Sequence, residues 1–118
     1  MRNLWLLLGL CFSVLNCGSS AGPCKITADI VPASATADHA AAPPGNEVQF
    51  SLQSSVSGDC PLVADKVGVW SSSDPTTVPV NSEGLATCQN GSVAVVATIT
   101  NSSTVRGKSY SPATLSCE

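Results

Sequence analysis

Val48-Gln49-Phe50-Ser51-Leu52-Gln53 alternates apolar and polar side chains without a break. Successive side chains of a β-strand point to opposite faces, so this stretch sets Val48, Phe50 and Leu52 toward a core and Gln49, Ser51 and Gln53 toward water. A slip of one residue would exchange the two faces, which ties the register to the burial pattern. Upstream, Lys25 to Val31 (KITADIV) alternates Ile26, Ala28 and Ile30 against Thr27 and Asp29, and Pro32 ends it because proline cannot donate to a ladder. Downstream, Ser92 to Thr100 (SVAVVATIT) is nearly continuous in apolar and β-branched residues, the pattern of a strand covered on part of both faces. Shorter candidates are Lys66 to Ser71, Thr77 to Val80, Leu85 to Cys88 and Ala113 to Cys117.

Turn chemistry separates these runs at Pro43-Pro44-Gly45-Asn46, Ser57-Gly58-Asp59, Asp74-Pro75, Asn81-Ser82-Glu83-Gly84 and Gln89-Asn90-Gly91, the last with the Asn-Gly pair of a hairpin turn. From Gly18 onward no window keeps apolar residues at helical spacing. About seven short strands at this spacing predict an all-β domain, a small antiparallel sandwich of the immunoglobulin kind, with a small closed barrel as the alternative. Ala33 to Pro44 (ASATADHAAAPP), poor in large side chains, is expected to be a crossover between the first two strands.

The 118 residues fit one domain, and a formal net charge of -3 with only five Lys and Arg argues against the basic surface that nucleic acid requires. Six Cys in so short a chain point to an oxidising compartment. The 43% hydrophobic content overstates the core, since much of it is Ala and part of it lies in the leading segment.

That segment has Arg2 followed by an apolar run from Leu4 to Leu15, too short for the roughly 20 residues of a membrane-spanning helix and suited to a signal peptide. Val14-Leu15-Asn16-Cys17 with Gly18-Ser19-Ser20 behind it resembles the lipobox of bacterial lipoproteins. The resemblance implies a signal peptide over residues 1–16, lipid attachment at Cys17, a tether over residues 17–23 and a folded domain over residues 24–118. Its implied localisation is a bacterial cell envelope, on a membrane held through the N-terminal lipid. The alternative is cleavage after Ala21, with Ser19 at the third position back, and release as a secreted domain.

Five segments come in a telling order: Pro32-Ala33-Ser34-Ala35-Thr36, Gly45-Asn46-Glu47-Val48-Gln49-Phe50, Val69-Trp70-Ser71-Ser72-Ser73-Asp74-Pro75, Val80-Asn81-Ser82-Glu83-Gly84-Leu85-Ala86-Thr87, and Gly91 leading into Ala97-Thr98-Ile99-Thr100. Together they resemble the bacterial immunoglobulin-like domains of group 2, the intimin and invasin type, over about Ile26 to Cys117. The resemblance implies an extracytoplasmic β-sandwich of the sort found in surface adhesins and as spacers beside enzyme domains. Four Cys within the domain depart from that pattern.

Cys24, Cys60, Cys88 and Cys117 form an even set, hence two disulfides with three possible connectivities. Cys24 precedes the first strand and Cys60 follows the second, at one end of a sandwich; Cys88 and Cys117 end later strands that run toward the other end. The expected pairs are therefore Cys24–Cys60 and Cys88–Cys117. Zinc is disfavoured, since no CxxC pair exists and the lone His39 is remote in sequence. Trp70 resembles the buried Trp of immunoglobulin sandwiches and is expected in the core, over Val67, Val69, Val48, Phe50 and Leu52; its alternative is a sugar-stacking surface. Tyr110 is the candidate contact residue, its ring packed and its hydroxyl at the rim.

His39 beside Asp38 has no second His or GxSxG elbow for nucleophilic chemistry and is expected to be a solvated loop residue. Asp59, Asp65 and Asp74 lack the Asp-x-Asp spacing of calcium loops. Asn90-Gly91-Ser92 and Asn101-Ser102-Ser103 match the glycan acceptor pattern. No catalytic set, cofactor or metal ligand emerges. The expected role is a binding, adhesion or structural module for a protein or carbohydrate ligand; the alternative is a secreted effector or inhibitor of another protein.

Overall fold

The structure is a computed structural model and describes residues 22–89 and 94–118. The segment expected to be a signal peptide, the expected lipid-bearing Cys17 and the Asn90-Gly91 pair expected to form a turn lie outside the described residues. Ten strands occur among those described, with no helix: β1 (Lys25–Val31), β2 (Ser34–Ala37), β3 (Glu47–Gln49), β4 (Ser51–Ser57), β5 (Trp70–Ser72), β6 (Leu85–Thr87), β7 (Val95–Asn101), β8 (Thr104–Val105), β9 (Lys108–Ser109) and β10 (Ala113–Cys117). They form a four-stranded sheet in the order β2-β10-β7-β5 and two-stranded ladders β1-β4, β3-β6 and β8-β9.

The alternating run from Val48 divides at Phe50. Before it, Glu47, Val48 and Gln49 pair with Thr87, Ala86 and Leu85, and the Phe50 N–H donates to Gly84 O at 2.9 Å. The partner then turns away: Asn81 Oδ1 accepts the N–H groups of Glu83 and Leu85 at 2.9 and 3.0 Å, an Asx turn that reverses the chain. From Ser51 onward the ladder passes to the opposite edge of the strand, where Val31 to Lys25 pair with Ser51 to Ser57.

This handover corrects the expectation for Leu52. Its parity is right, opposite Ile30, but with the β6 side vacated it is 37% exposed, while Phe50 is fully enclosed and Val48 half-buried. The continuous pattern over Ser92 to Thr100 also resolves differently: β7 buries Ala97, Ile99 and Asn101 and exposes Val96, Thr98 and Thr100, so only one face is covered. Lys66 to Ser71 is mostly loop, with β5 confined to Trp70–Ser72 and Lys66 making an isolated bridge to Thr104. Thr77 to Val80 is a turn and a single bridge from Val80 to Ala86, although Val78 is fully buried.

The expected crossover over Ala33 to Pro44 instead contains β2, which pairs with β10 in parallel, Ser34 to Ala37 against Thr114 to Cys117. The sheets are thus antiparallel with one exception. Pro32 stops the β1 ladder, and the chain continues in the same direction onto the edge of β10, where half-buried Ala35 and buried Ala37 join the core.

Ile30, Phe50, Val78 and Ala86 meet Ala97, Ile99, Ala113 and Leu115 in one cluster completed by Cys88 and Cys117. Both disulfides form as expected, closing sequence separations of 36 and 29 residues. Cys24–Cys60 seals the β1-β4 ladder beyond its last pair, Lys25 with Ser57. Cys88–Cys117 is buried and ties the chain leaving β6 to the end of β10, joining two sheets that share no ladder. Loop-closure entropy makes each worth about 3 to 4 kcal/mol.

Replacing Cys88 and Cys117 together by Ala is expected to cost that amount and a further increment for the buried volume lost, whereas Cys24→Ser with Cys60→Ser loses the entropic part alone. Thermal unfolding followed by circular dichroism checks the order; an equal or larger loss at Cys24–Cys60 contradicts the central role assigned to the buried bond.

Candidate functional site

Trp70 begins β5, where it pairs with Asn101 of β7. Its indole is half-buried against the core cluster and lies over Gly84. A Cβ at Gly84 would come within 2.8 Å of Cε2 and Cζ2 of that ring and 2.6 Å of Phe50 O, and Gly84 has φ +85°, so both space and backbone demand glycine there. Trp70 is therefore held by Gly84. Val67 and Val69 do not pack beneath it: they are 93% and 70% exposed, Val69 because it adjoins the inward Trp70 and points the other way and Val67 because it lies in the loop before β5.

Tyr110 is half-buried and packs against the core cluster, as does Val48. His39 departs from the solvated reading. It is half-buried with Nδ1 enclosed and unpartnered among the described residues, and its backbone N–H donates to Glu118 O at 3.0 Å. The three loop aspartates serve separate local structures. Asp65 Oδ1 accepts the Arg106 N–H at 2.9 Å, Asp74 Oδ1 accepts the Thr77 N–H at 3.3 Å, and Asp59 bridges to Pro23. Among the described residues no three His, Cys, Asp or Glu side chains gather as metal ligands would. Asn101 is buried and its Oδ1 accepts the Ser103 N–H at 2.9 Å, which removes it as a glycan acceptor.

Among the described residues the large exposed apolar side chains concentrate in the loop from Pro61 to Val69, which carries Leu62 (94% exposed), Val67, Val69 and half-exposed Val63. It is firmly attached. Lys66 and Thr104 exchange backbone hydrogen bonds of 3.1 and 2.9 Å, and the Ser102 N–H donates to Val69 O at 3.1 Å. Ser103 Oγ accepts the Gly68 N–H at 2.8 Å and Ser102 Oγ accepts the Val69 N–H at 2.9 Å. Arg106 Nη1 donates to Pro61 O at 3.2 Å.

Arg106 and Gly107, at φ 50° and 82°, form the two-residue turn between β8 and β9. Leu62, Val63, Ala64, Asp65 and Arg106 line a shallow depression beside it. A loop whose backbone is pinned at Lys66, Gly68 and Val69 while its Leu and Val side chains face water holds those side chains in place for burial against another surface. Covering Leu62 and Val67 would each contribute about 1.5 to 3 kcal/mol.

Sequence reasoning missed this loop because Val67 and Val69 were assigned to a core strand. The parity of Val69 relative to Trp70 is the one signal the sequence carries, and it does not extend to Val67. Comparison with protein-family models finds no match, and neither does comparison with curated proteins.

A Cβ at Gly68 would collide with Ser102 Oγ and with the backbone of Ser102 and Ser103. Gly68→Ala is accordingly expected to detach the loop and cost about 1 to 3 kcal/mol, seen as faster amide exchange at Lys66 and Val69, while Ser71 and Thr100 stay protected. Uniform loss of protection across the domain, or none, contradicts the clamp.

Proposed function

We propose that this protein is an exported, lipid-anchored member of the bacterial immunoglobulin-like domains of group 2, acting as a binding module that offers the 61–69 loop to a protein partner. The observation that carries the reading is the loop itself: exposed Leu62, Val67 and Val69 on a backbone clamped to residues 102–106. The immunoglobulin-like part draws support from a buried disulfide joining two sheets and from Trp70 on a strand beside β7, bearing on the core. Two disulfides fit an extracytoplasmic location. A protein ligand is favoured over a sugar because the Trp70 indole is engaged with Gly84, leaving aliphatic side chains as the available contact surface.

The second reading, a secreted effector without lipid, shares the same loop and differs only at Cys17. Mass spectrometry of the processed chain separates them, since a mature N-terminus near Gly22 without acyl chains excludes anchoring. With anchoring, Cys17→Ala shifts the protein from the membrane fraction to the soluble one or stalls it as uncut precursor.

For the loop, Leu62→Asp combined with Val67→Asp is expected to leave the melting temperature within a few degrees of the unaltered protein. The same change should abolish photo-crosslinking from position 63 to an envelope protein. Retained crosslinking in that variant contradicts the loop as the contact.

A further inference from the structure

We infer that the free edge of β4 pairs with the same edge of a second copy of this chain, antiparallel and centred on Ser54. The direction of the backbone groups follows from the two ladders that flank Phe50. Asn46 and Phe50 bond toward β6, through Cys88 N–H to Asn46 O at 2.8 Å and Phe50 N–H to Gly84 O at 2.9 Å, so even-numbered residues of this run face that side. On β1 the even-numbered residues face away from β4, as the Ile30 N–H to Ser111 O bond of 3.2 Å records, leaving the odd-numbered ones to pair with odd-numbered partners on β4.

Leu52, Ser54 and Val56 consequently aim their N–H and C=O groups outward from the β1-β4 ladder. The Asn81–Gly84 turn has removed any β6 partner by that point, and among the described residues β4 pairs with β1 alone. All seven residues of β4 are exposed, Val56 at 39% and Leu52 at 37% although both share the core-facing side with Ile30 and Ala28.

A row of unpaired backbone groups this long is a template for another strand. The usual protections are missing: Ser51 to Ser57 (SLQSSVS) contains no Lys, no other charge and no proline. The outer strands of the four-stranded sheet are shorter, four residues in β2 and three in β5.

The composition of β4 favours its own copy as the occupant. A two-fold axis at Ser54 sets Leu52 opposite the second copy's Val56, Gln53 opposite Ser55 and Ser51 opposite Ser57, matching apolar with apolar and polar with polar. The same axis opposes the three outward-facing residues to one another, so that Leu52 with Val56, Ser54 with Ser54 and Val56 with Leu52 each form a hydrogen-bonded pair. Having no charge, the strand meets no like-charge repulsion across the axis. The inference rests on backbone direction and register, independently of the lipid anchor and of the 61–69 loop.

Opposed residues of a hydrogen-bonded antiparallel pair have Cα atoms about 5.5 Å apart, within disulfide range, whereas residues offset by two positions are about 7 to 8 Å apart and outside it. Single Cys replacements at Gln53, Ser54 and Ser55 in the full exported chain are therefore compared by non-reducing electrophoresis. Ser54→Cys is expected to give at least tenfold more covalent dimer than Gln53→Cys or Ser55→Cys. Adding Leu52→Lys should lower that yield at least tenfold while protease resistance of the domain persists.

Amide exchange on the unaltered protein removes dependence on the variants: Leu52, Ser54 and Val56 should slow as concentration rises, with Gln53 and Ser55 unchanged. Equal yields from the three positions, no dimer from Ser54→Cys, a crosslink from it to a different protein, or exchange independent of concentration overturns the pairing.

Discussion

The buried Cys88–Cys117 bond is the constraint on which the rest of this fold depends. Among the described residues four members of the buried cluster are alanines, Ala37, Ala86, Ala97 and Ala113; Ile30, Phe50, Val78, Ile99 and Leu115 are its larger aliphatic and aromatic members, with Trp70, Tyr110 and Val48 half-buried against it. A core so thin yields little hydrophobic stabilisation to set against the conformational entropy of ordering the chain. Two sheets with no shared ladder would separate easily under those terms. The disulfide restricts the unfolded ensemble and joins them at one end, while Trp70 lying over Gly84 joins them at the other.

Much of this was legible in the sequence, and the failures share a cause. Period-two alternation located β1, a continuous β-branched run located β7, short runs between turn signals located β6 and β10, and the placement of cysteines at strand ends selected the correct disulfide pairs from three possibilities. Alternation states which way a side chain points, and says nothing of whether a neighbour lies there. Leu52 points as expected toward the core side and finds no cover, because the Asn81–Gly84 turn ends the neighbouring strand. Strand β2 was missed for the opposite reason: Ser34, Ala35, Thr36 and Ala37 carry no large apolar residue, yet small side chains are what the edge beside β10 accommodates.

The 61–69 loop was hidden differently. Valines are read as strand or core because that is where they are most often buried. Here Gly68 allows the backbone to approach Ser102 and Ser103, and their hydroxyls accept the Gly68 and Val69 N–H groups. The segment gains the order of a strand edge without turning its side chains inward. The sequence does contain Gly68, Ser102 and Ser103, but their meeting depends on the β5-β7 register, which sets Trp70 opposite Asn101. A local pattern cannot supply that pairing.

Position in the fold also constrains what the loop can meet. The described chain begins at Gly22, whose carbonyl accepts the Asp59 N–H at 3.1 Å, and Cys24 is bonded to Cys60, where the loop departs. Lys25, Lys66, Arg106 and Lys108, which are all the Lys and Arg among the described residues, gather at this same end; Lys108 Nζ donates to Ile26 O at 3.1 Å. Under the anchored reading a tether over residues 17–23 reaches at most about 24 Å. The end that carries Leu62 and Val67 would then stay close to the bilayer, with its cations toward the headgroups. A partner reaching this loop would have to approach alongside the membrane surface, which favours a membrane-associated protein over a freely diffusing one. A released form would face no such restriction, so the location of the partner bears on the same question as the chemistry of Cys17.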